Sequence, residues 1–468
     1  MKLLILTLSL PFFLLGSFNC GGRQLAENSQ TADAEALKSG TSPVDWTVMV
    51  YLNGDNNLEK YALRDFREMS KVGSSDKINI VAQFDRIGYV PDYGGWTQTL
   101  RFKIAKDMAP TPENAVPGFN TEVNMGDGKI LGDFVTWAMT NYPAKRYMLL
   151  IWDHGSGWRR FLNLRSNTPE AEQARNIEDL LANRANRAAS LQVGNVQESP
   201  VKAVSHDETS GKSLYNREIQ DTLGQVLAGK KLDVVGFDAC LMSMVETGYA
   251  MRGIAGTMIG SEELEPGDGW RYDDWLAGLS ANPTMDGNEL GKVVVKSYQK
   301  QYSNVSDTTL SATDLREASR LADLIDKFAH AMESQFGNPF ELKNIRTARD
   351  NCNNYGSGSG HFYNIDLLRF ANLVANGTHD PSVRGAAQQV VADLAERVVI
   401  GNYAHESMQD DEKYGSHGLA IYFPATKSQF EQDPLSSAYR DANENYPVEF
   451  VKGHAWDNFL MSYFQNDH

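Results

Sequence analysis

Residues 232–249 read LDVVGFDACLMSMVETGY. Leu232 to Phe237 make a short apolar run broken only by Asp233, and the run ends in Asp238-Ala239-Cys240. So brief a run, with Val234 and Val235 at its centre, reads as a strand covered on both faces, as in a mostly parallel sheet. The segment after it, LMSMVETGYAM, has helical character, so a helix is expected to begin near Cys240. The chain holds three cysteines in 468 residues, and this one stands at a strand tip, two residues after Asp238.

Working outward, WTVMVYL (46–52), INIVAQFD (78–85), YMLLIWD (147–153) and GTMIGS (256–261) have the same strand character. Helical patterns lie between them. NLEKYALRDFREM (57–69) follows Asp55 and Asn56 as candidate caps, and KILGDFVTWAMTNY (129–142) gathers Ile130, Leu131, Phe134, Val135 and Ala138 on one face. This alternation predicts an α/β fold, a mostly parallel β-sheet sandwiched between helices, over 46–310. Residues 159–200 are rich in Arg, Asn and Ala and poor in large apolar side chains, and read as an exposed insertion. From 311 to 468 the pattern is mainly helical, with one late strand in HGLAIYFP (417–424) that could return to the sheet.

A formal net charge of −16 argues against nucleic acid as a partner, since no basic face would compensate phosphate repulsion. Residues 1–20, MKLLILTLSLPFFLLGSFNC, read as a signal segment: Lys2 is its positive end, and Leu3 to Leu15 are too short to span a membrane permanently. Cys20 closes it as in a bacterial lipoprotein signal, where it would become the lipidated N-terminus. Ser17 and Asn19 depart from that pattern, so ordinary cleavage stays open. Either way the chain is expected to be exported, lipid-anchored to the cell envelope or secreted. Residues 21–45 suit a flexible linker. Cys240 and Cys352 remain, as one bridge or two free thiols; Cys352 reads as a buried structural thiol.

Two predicted strands end in reactive residues. YMLLIWD runs into His154-Gly155-Ser156-Gly157, and LDVVGFD into Ala239-Cys240. The carboxyl ends of parallel strands line a ligand crevice, so His154 and Cys240 are expected on one edge, where an imidazole beside a thiol suits acyl-transfer chemistry. That chemistry requires no cofactor. A helix starting at Cys240 would favour its thiolate, and the N–H groups of Gly155 and Cys240 would suit an oxyanion. The commoner roles compete: a lone cysteine is most often a small core residue, and a lone histidine a capping or packed one. Asp238 shares a face with Cys240 while the chain stays extended, and would pair with a cationic substrate or with a structural arginine. The remaining histidines lack a cysteine neighbour or metal-ligand spacing, and Asp268, Asp273 and Asp274 lack the spacing of an EF-hand.

These segments resemble the clostripain family in the caspase-like clan of cysteine peptidases. The resemblance is carried in order by WTVMVYLNGDNNLE, LLIWDHGSGW, VVGFDACLMSMVE, GSEELEPGDGW and HGLAIYFP, over about residues 46–425. It implies a caspase-like fold and an endopeptidase that cleaves polypeptides after Arg and also Lys. His154 and Cys240 match the catalytic dyad, with the Gly155 and Cys240 N–H groups as the oxyanion hole. Asp238 matches an acid of the pocket for the basic side chain, and Asp268 in PGDGW a second one. The family further implies a zymogen clipped between histidine and cysteine. Here Arg159, Arg160, Arg165, Arg175, Arg184, Arg187 and Lys202 offer bonds for self-cleavage in the 159–202 region. Some members need calcium, for which the sequence shows no site. Two other readings use the same fold: a catalytically silent surface-binding lipoprotein, and a transpeptidase working through the same dyad.

Overall fold

The computed structural model describes residues 43–159, 204–356, 363–405, 415–433, 435–440 and 448–466. The signal segment with Cys20, the linker up to residue 42, and Arg160 to Lys202 of the expected cleavage region lie outside the described residues.

A nine-stranded sheet organises the chain. Its centre is five parallel strands in the order β9 (Ala255–Gly260), β8 (Leu232–Asp238), β5 (Ala144–Trp152), β1 (Val44–Gly54) and β2 (Ile78–Arg86). Antiparallel strands extend both flanks: β3 (Thr99–Lys103) and β4 (Asn120–Thr121) beyond β2, and β10 (Thr308–Asp314) and β12 (Val399–His405) beyond β9. A hairpin of β6 (Val204–Asp207) and β7 (Lys212–Leu214) stands apart from the sheet.

The central strands are apolar almost throughout because each face carries its own core. Val48, Val50, Leu52, Met148, Leu150 and Val234 pack with Trp270, Trp275 and the helices Glu59–Val72, Tyr272–Ala281 and Gly287–Tyr302. Met49, Tyr51, Leu149, Ile151, Val235 and Phe237 point the other way, towards the helices Gly128–Asn141, Asn216–Leu227 and Ala318–Glu333. Alternate residues thus enter opposite cores, the period expected of a strand covered on both sides.

The region after 311 departs from its expected form. It contributes three strands, not one, and clusters with the rest of Val44–His468 as a single unit. VRGAAQQVVADLAERVVIGNY reads as one helix, but the α-helix ends at Asp393, a π-turn covers Leu394–Val398, and Val399–His405 becomes β12 in the main sheet. Val398, Val399 and Ile400 are β-branched and favour the extended form, and Gly401 follows. The late strand shrinks to β13 (Ala420–Tyr422). It pairs with β11 (Asn364–Asp366) in a two-stranded sheet and does not join the main one. Among the described residues no helix is long and apolar enough to cross a membrane.

Candidate active site

Adjacent parallel strands place the two reactive tips side by side. β5 and β8 pair from Met148↔Val234 to Trp152↔Asp238, and the Asp153 N–H continues the ladder to the Asp238 carbonyl at 3.3 Å. His154 and Cys240 each lie two residues past that last matched pair, on the sheet's carboxyl edge. Glycines let the two loops touch. A Cβ on Gly155 would lie 2.4 Å from the Cys240 carbonyl oxygen and 3.0 Å from its nitrogen. A Cβ on Gly157, at φ +69°, would lie 2.4 Å from the Met244 sulfur and 2.9 Å from the Leu241 carbonyl oxygen. Any side chain at either position would force the loops apart.

Cys240 does not open a helix. β8 stops at Asp238, the chain turns with Leu241 at φ +62°, and the helix begins only at Val245. The expected thiolate stabilisation by a helix N-terminus is therefore missing. Burial, together with the charges of Glu265 and Glu263, pushes the thiol up to about 12, although the Glu265 N–H donates to Cys240 Sγ at 3.2 Å. At neutral pH the resting sulfur is a thiol, so attack has to be coupled to proton removal. The turn also ends the simple alternation of faces: Cys240 packs against one core, while Asp238 accepts bonds from residues of the other. Both cysteines are free. Cys352 is buried, its sulfur donates to the Ala348 carbonyl, and burial pushes it up to about 12, as suits a structural thiol.

His154 Nε2 lies 2.8 Å from Asn57 Oδ1. Asn57 follows β1, the strand next to β5, and so reaches the same edge. A ring that donates from Nε2 carries its accepting lone pair on Nδ1. Next to it in the chain, buried Asp153 gathers the loops: it accepts from the N–H groups of His154 and His206 and from Asn56 Nδ2 at 2.9 Å. Asp55 and Asn56 were expected as helix caps. Asp55 instead accepts from the Thr209 N–H and hydroxyl, whereas Asn56 does serve the helix entrance: its Oδ1 accepts from the Leu58 N–H at 2.8 Å, and its Nδ2 ties the Asp153 and His206 segments together.

Asp238 is buried, and its Oδ2 accepts from the Trp270 N–H at 3.1 Å and the Tyr272 hydroxyl at 2.8 Å. Two acids with no sequence signal join it. Asp65, on the helix Glu59–Val72, accepts from Trp152 Nε1 at 2.8 Å, and Glu265 carries the backbone amide that holds the thiol. All three carboxyls are raised above the usual range, chiefly by burial, and the Asp238 charge adds to the shift of Asp65 and Glu265. The Arg64 guanidinium partly offsets them, lowering Asp65 and Asp238. Asp268 lies differently from Asp238: its side chain is 55% exposed and forms an ion pair with Arg64. Its neighbour Gly269 covers Asp238, where a Cβ would stand 3.0 Å from both carboxyl oxygens. Asp273 pairs with Lys71, and Asp274 with Lys300.

Arg159 is removed from the candidate cleavage positions. It is buried, with Nη1 and Nη2 at 2.9 and 2.6 Å from the two oxygens of Asp433, and so anchors the start of the insertion.

Comparison with known proteins bears on the family and the fold. The family model described as the clostripain family matches residues 50–169 and 192–463. The chain is 26% identical to clostripain from Hathewaya histolytica over 432 residues, covering 81% of this chain and 74% of that protein. A secreted cysteine protease from Bacteroides thetaiotaomicron, solved with an irreversible peptide inhibitor, superposes with a TM-score of 0.54 at 18% identity, covering 91% of this chain and 99% of that one. An inactive zymogen protease from Parabacteroides distasonis gives 0.56 at 17% identity, covering 90% and 99%. These two share the fold. With a family model that spans most of the sheet and both strand tips, the chain belongs to the clostripain family of cysteine peptidases.

Proposed function

We propose that the protein is an exported endopeptidase that cleaves after Arg and Lys through His154 and Cys240. The observation carrying this reading is the in-register pairing of β5 with β8, which delivers imidazole and thiol to one edge beside the buried acids Asp65, Asp238 and Glu265. His154 takes the thiol proton as Cys240 Sγ attacks the scissile carbonyl carbon. The resulting oxyanion is held by the N–H groups of Gly155 and Cys240. Collapse breaks the C–N bond, the leaving amine takes the proton from His154, and a thioester remains. Water activated by His154 then releases the acid and regenerates the thiol. Asp238 receives the guanidinium or ammonium of the residue before the cut, and Asp268 is the second pocket acid at its rim.

The signal-like N-terminal segment supports export, with Cys20 as the lipid attachment point. Self-cleavage is assigned to residues 160–202, where Arg160, Arg165, Arg175, Arg184, Arg187 and Lys202 remain after the loss of Arg159. The zymogen among the structures of the same fold supports this reading.

Fluorogenic peptides differing only in the residue before the reporter test the specificity. Arg and Lys should exceed Asp and Ala by at least ~100-fold in kcat/KM. Equal rates on Ala, or no rate on Arg or Lys after trypsin activation, would reject it. A second prediction concerns Asn57. Asn57→Ala should lower kcat ~10-fold with KM little changed. In Asn57→Asp a carboxylate beside the ring favours imidazolium, so the acid limb of the kcat/KM profile should move to higher pH. A profile that does not move would show that Asn57 does not orient His154.

A further inference from the structure

Lys60, Arg64, Arg67 and Lys71 repeat at helical spacing along the helix Glu59–Val72. At about 100° per residue the four fall within an arc of ~60°, so they form one stripe. The acids of this helix lie elsewhere. Glu59 and Asp65 are buried, and Glu68 accepts from the Tyr272 N–H on the side of the helix Tyr272–Ala281. In a chain of net charge −16 the stripe is a local reversal of sign.

The stripe lines a groove of about 420 Å³, shared with Leu63, Glu68, Val90, Asp92 and Tyr93. The wall facing the helix is firmly held. Buried Arg86 forms an ion pair with Glu59 at 2.7 Å and donates to the carbonyls of Val90 and Asp92, and Glu59 accepts from the Val90 N–H. Cations outnumber carboxylates in the lining by four to two, so the groove favours an anion. Arg64 and Lys71 are shared with Asp268 and Asp273, whereas Lys60 and Arg67 are exposed and form no ion pair among the described residues. The groove also starts at the catalytic edge. Lys60 stands three residues past Asn57, whose side chain meets His154. The loop from Glu265, whose N–H meets the thiol, reaches Arg64 through Asp268.

We infer that this groove binds an acidic stretch of the polypeptide substrate, next to the bond that is cut. Lys60 to Lys71 spans ~16.5 Å of helix, the length of about five extended residues. Carboxylates along such a stretch meet successive cations, while Leu63, Val90 and Tyr93 give its apolar atoms a contact surface. A recessed groove beside the nucleophile suits one extended chain. A lipid surface would need an apolar face, and the exposed large apolar residues Tyr89, Val305 and Phe340 do not line the groove. The preferred substrate is then a basic residue flanked by acidic ones, read by Asp238 and by the stripe. The inference rests on the endopeptidase reading only for the bond that is cut.

Binding is tested by fluorescence anisotropy on full-length Cys240→Ala, with a labelled Glu-rich peptide lacking Arg and Lys and with its Gln counterpart. The Glu peptide should bind ~10-fold more tightly. That gap should close as salt rises from about 0.05 to about 0.5 M, and Lys60→Gln with Arg67→Gln should remove most of it. Turnover is tested on cleaved peptides carrying Glu or Gln before the cut in one series and after it in another. One series should show a ~10-fold Glu advantage in kcat/KM, chiefly through KM, and the double variant should bring that ratio near one. Equal binding of Glu and Gln peptides, or a gap that the double variant leaves intact, would overturn the proposal. So would binding to phosphatidylglycerol vesicles through Lys60 and Arg67 that displaces the peptide, since the stripe would then be a membrane surface. A Glu advantage in binding with none in either turnover series would overturn its place beside the cut bond. The binding measurement involves no hydrolysis and no basic residue, so its failure leaves the proposed Arg and Lys specificity standing.

Discussion

Cys240→Ala should lower kcat/KM on an Arg-ending peptide by at least ~10⁴-fold, because no other group on this edge can form the thioester. Stability should hardly change. The residue is partly exposed, and the only hydrogen bond its sulfur accepts among the described residues is from the Glu265 N–H. The same variant separates self-processing from cleavage by a contaminant: wild type should purify as two fragments cut within 160–202, and the variant as one chain. Activity within tenfold of wild type, or fragments in both, would remove Cys240 from the chemistry.

Asp238→Asn should cost ~10²–10³-fold in kcat/KM for Arg and Lys substrates. The loss should fall chiefly on KM, with little change in the residual rate on an Ala substrate. The replacement is nearly isosteric and keeps an oxygen for the Trp270 N–H and the Tyr272 hydroxyl, so the pocket should hold its shape. It should not lower Tm. In the folded state Asp65, Asp238 and Glu265 keep protons above the usual carboxylate range, so over that interval the unfolded chain binds fewer protons and stability falls as pH rises. Removing one of the three should flatten that fall. Arg binding should run the opposite way, since Asp238 must be ionised to pair with it: KM for Arg should drop as pH rises through the trio's titration, and the KM of an Ala substrate should not. Equal losses on Arg and Ala would mean that Asp238 only supports the fold.

Much of this site follows from local pattern. Largely apolar runs such as LDVVGFD and YMLLIWD point to cover on both faces, which suits a parallel sheet and sends the strand tips to one edge. Gly155 is legible for the same reason, since two strand-end loops that touch leave no room for a side chain. Applied to β1, the rule would also have reached VYLNGDNN and hence Asn57, but the polar run there reads equally well as helix capping. Asp65 and Glu265 carry no comparable signal. Asp65 is one of many acids on an amphipathic helix, and its burial comes from Trp152, 87 positions away. β12 was obscured by the apolar period of the helix before it, although Val398, Val399 and Ile400 favour a strand.

The central claim is that Cys240, served by His154, is the nucleophile for bonds after basic residues. It is tested most directly by treating the activated protein with an Arg-ending peptidyl electrophile and locating the adduct by peptide mass mapping. One adduct per chain on Cys240 is expected, suppressed in His154→Ala and outcompeted by an Arg substrate but not by an Ala one. An adduct on Cys352, or labelling of Cys240 that neither His154→Ala nor an Arg substrate reduces, would contradict it.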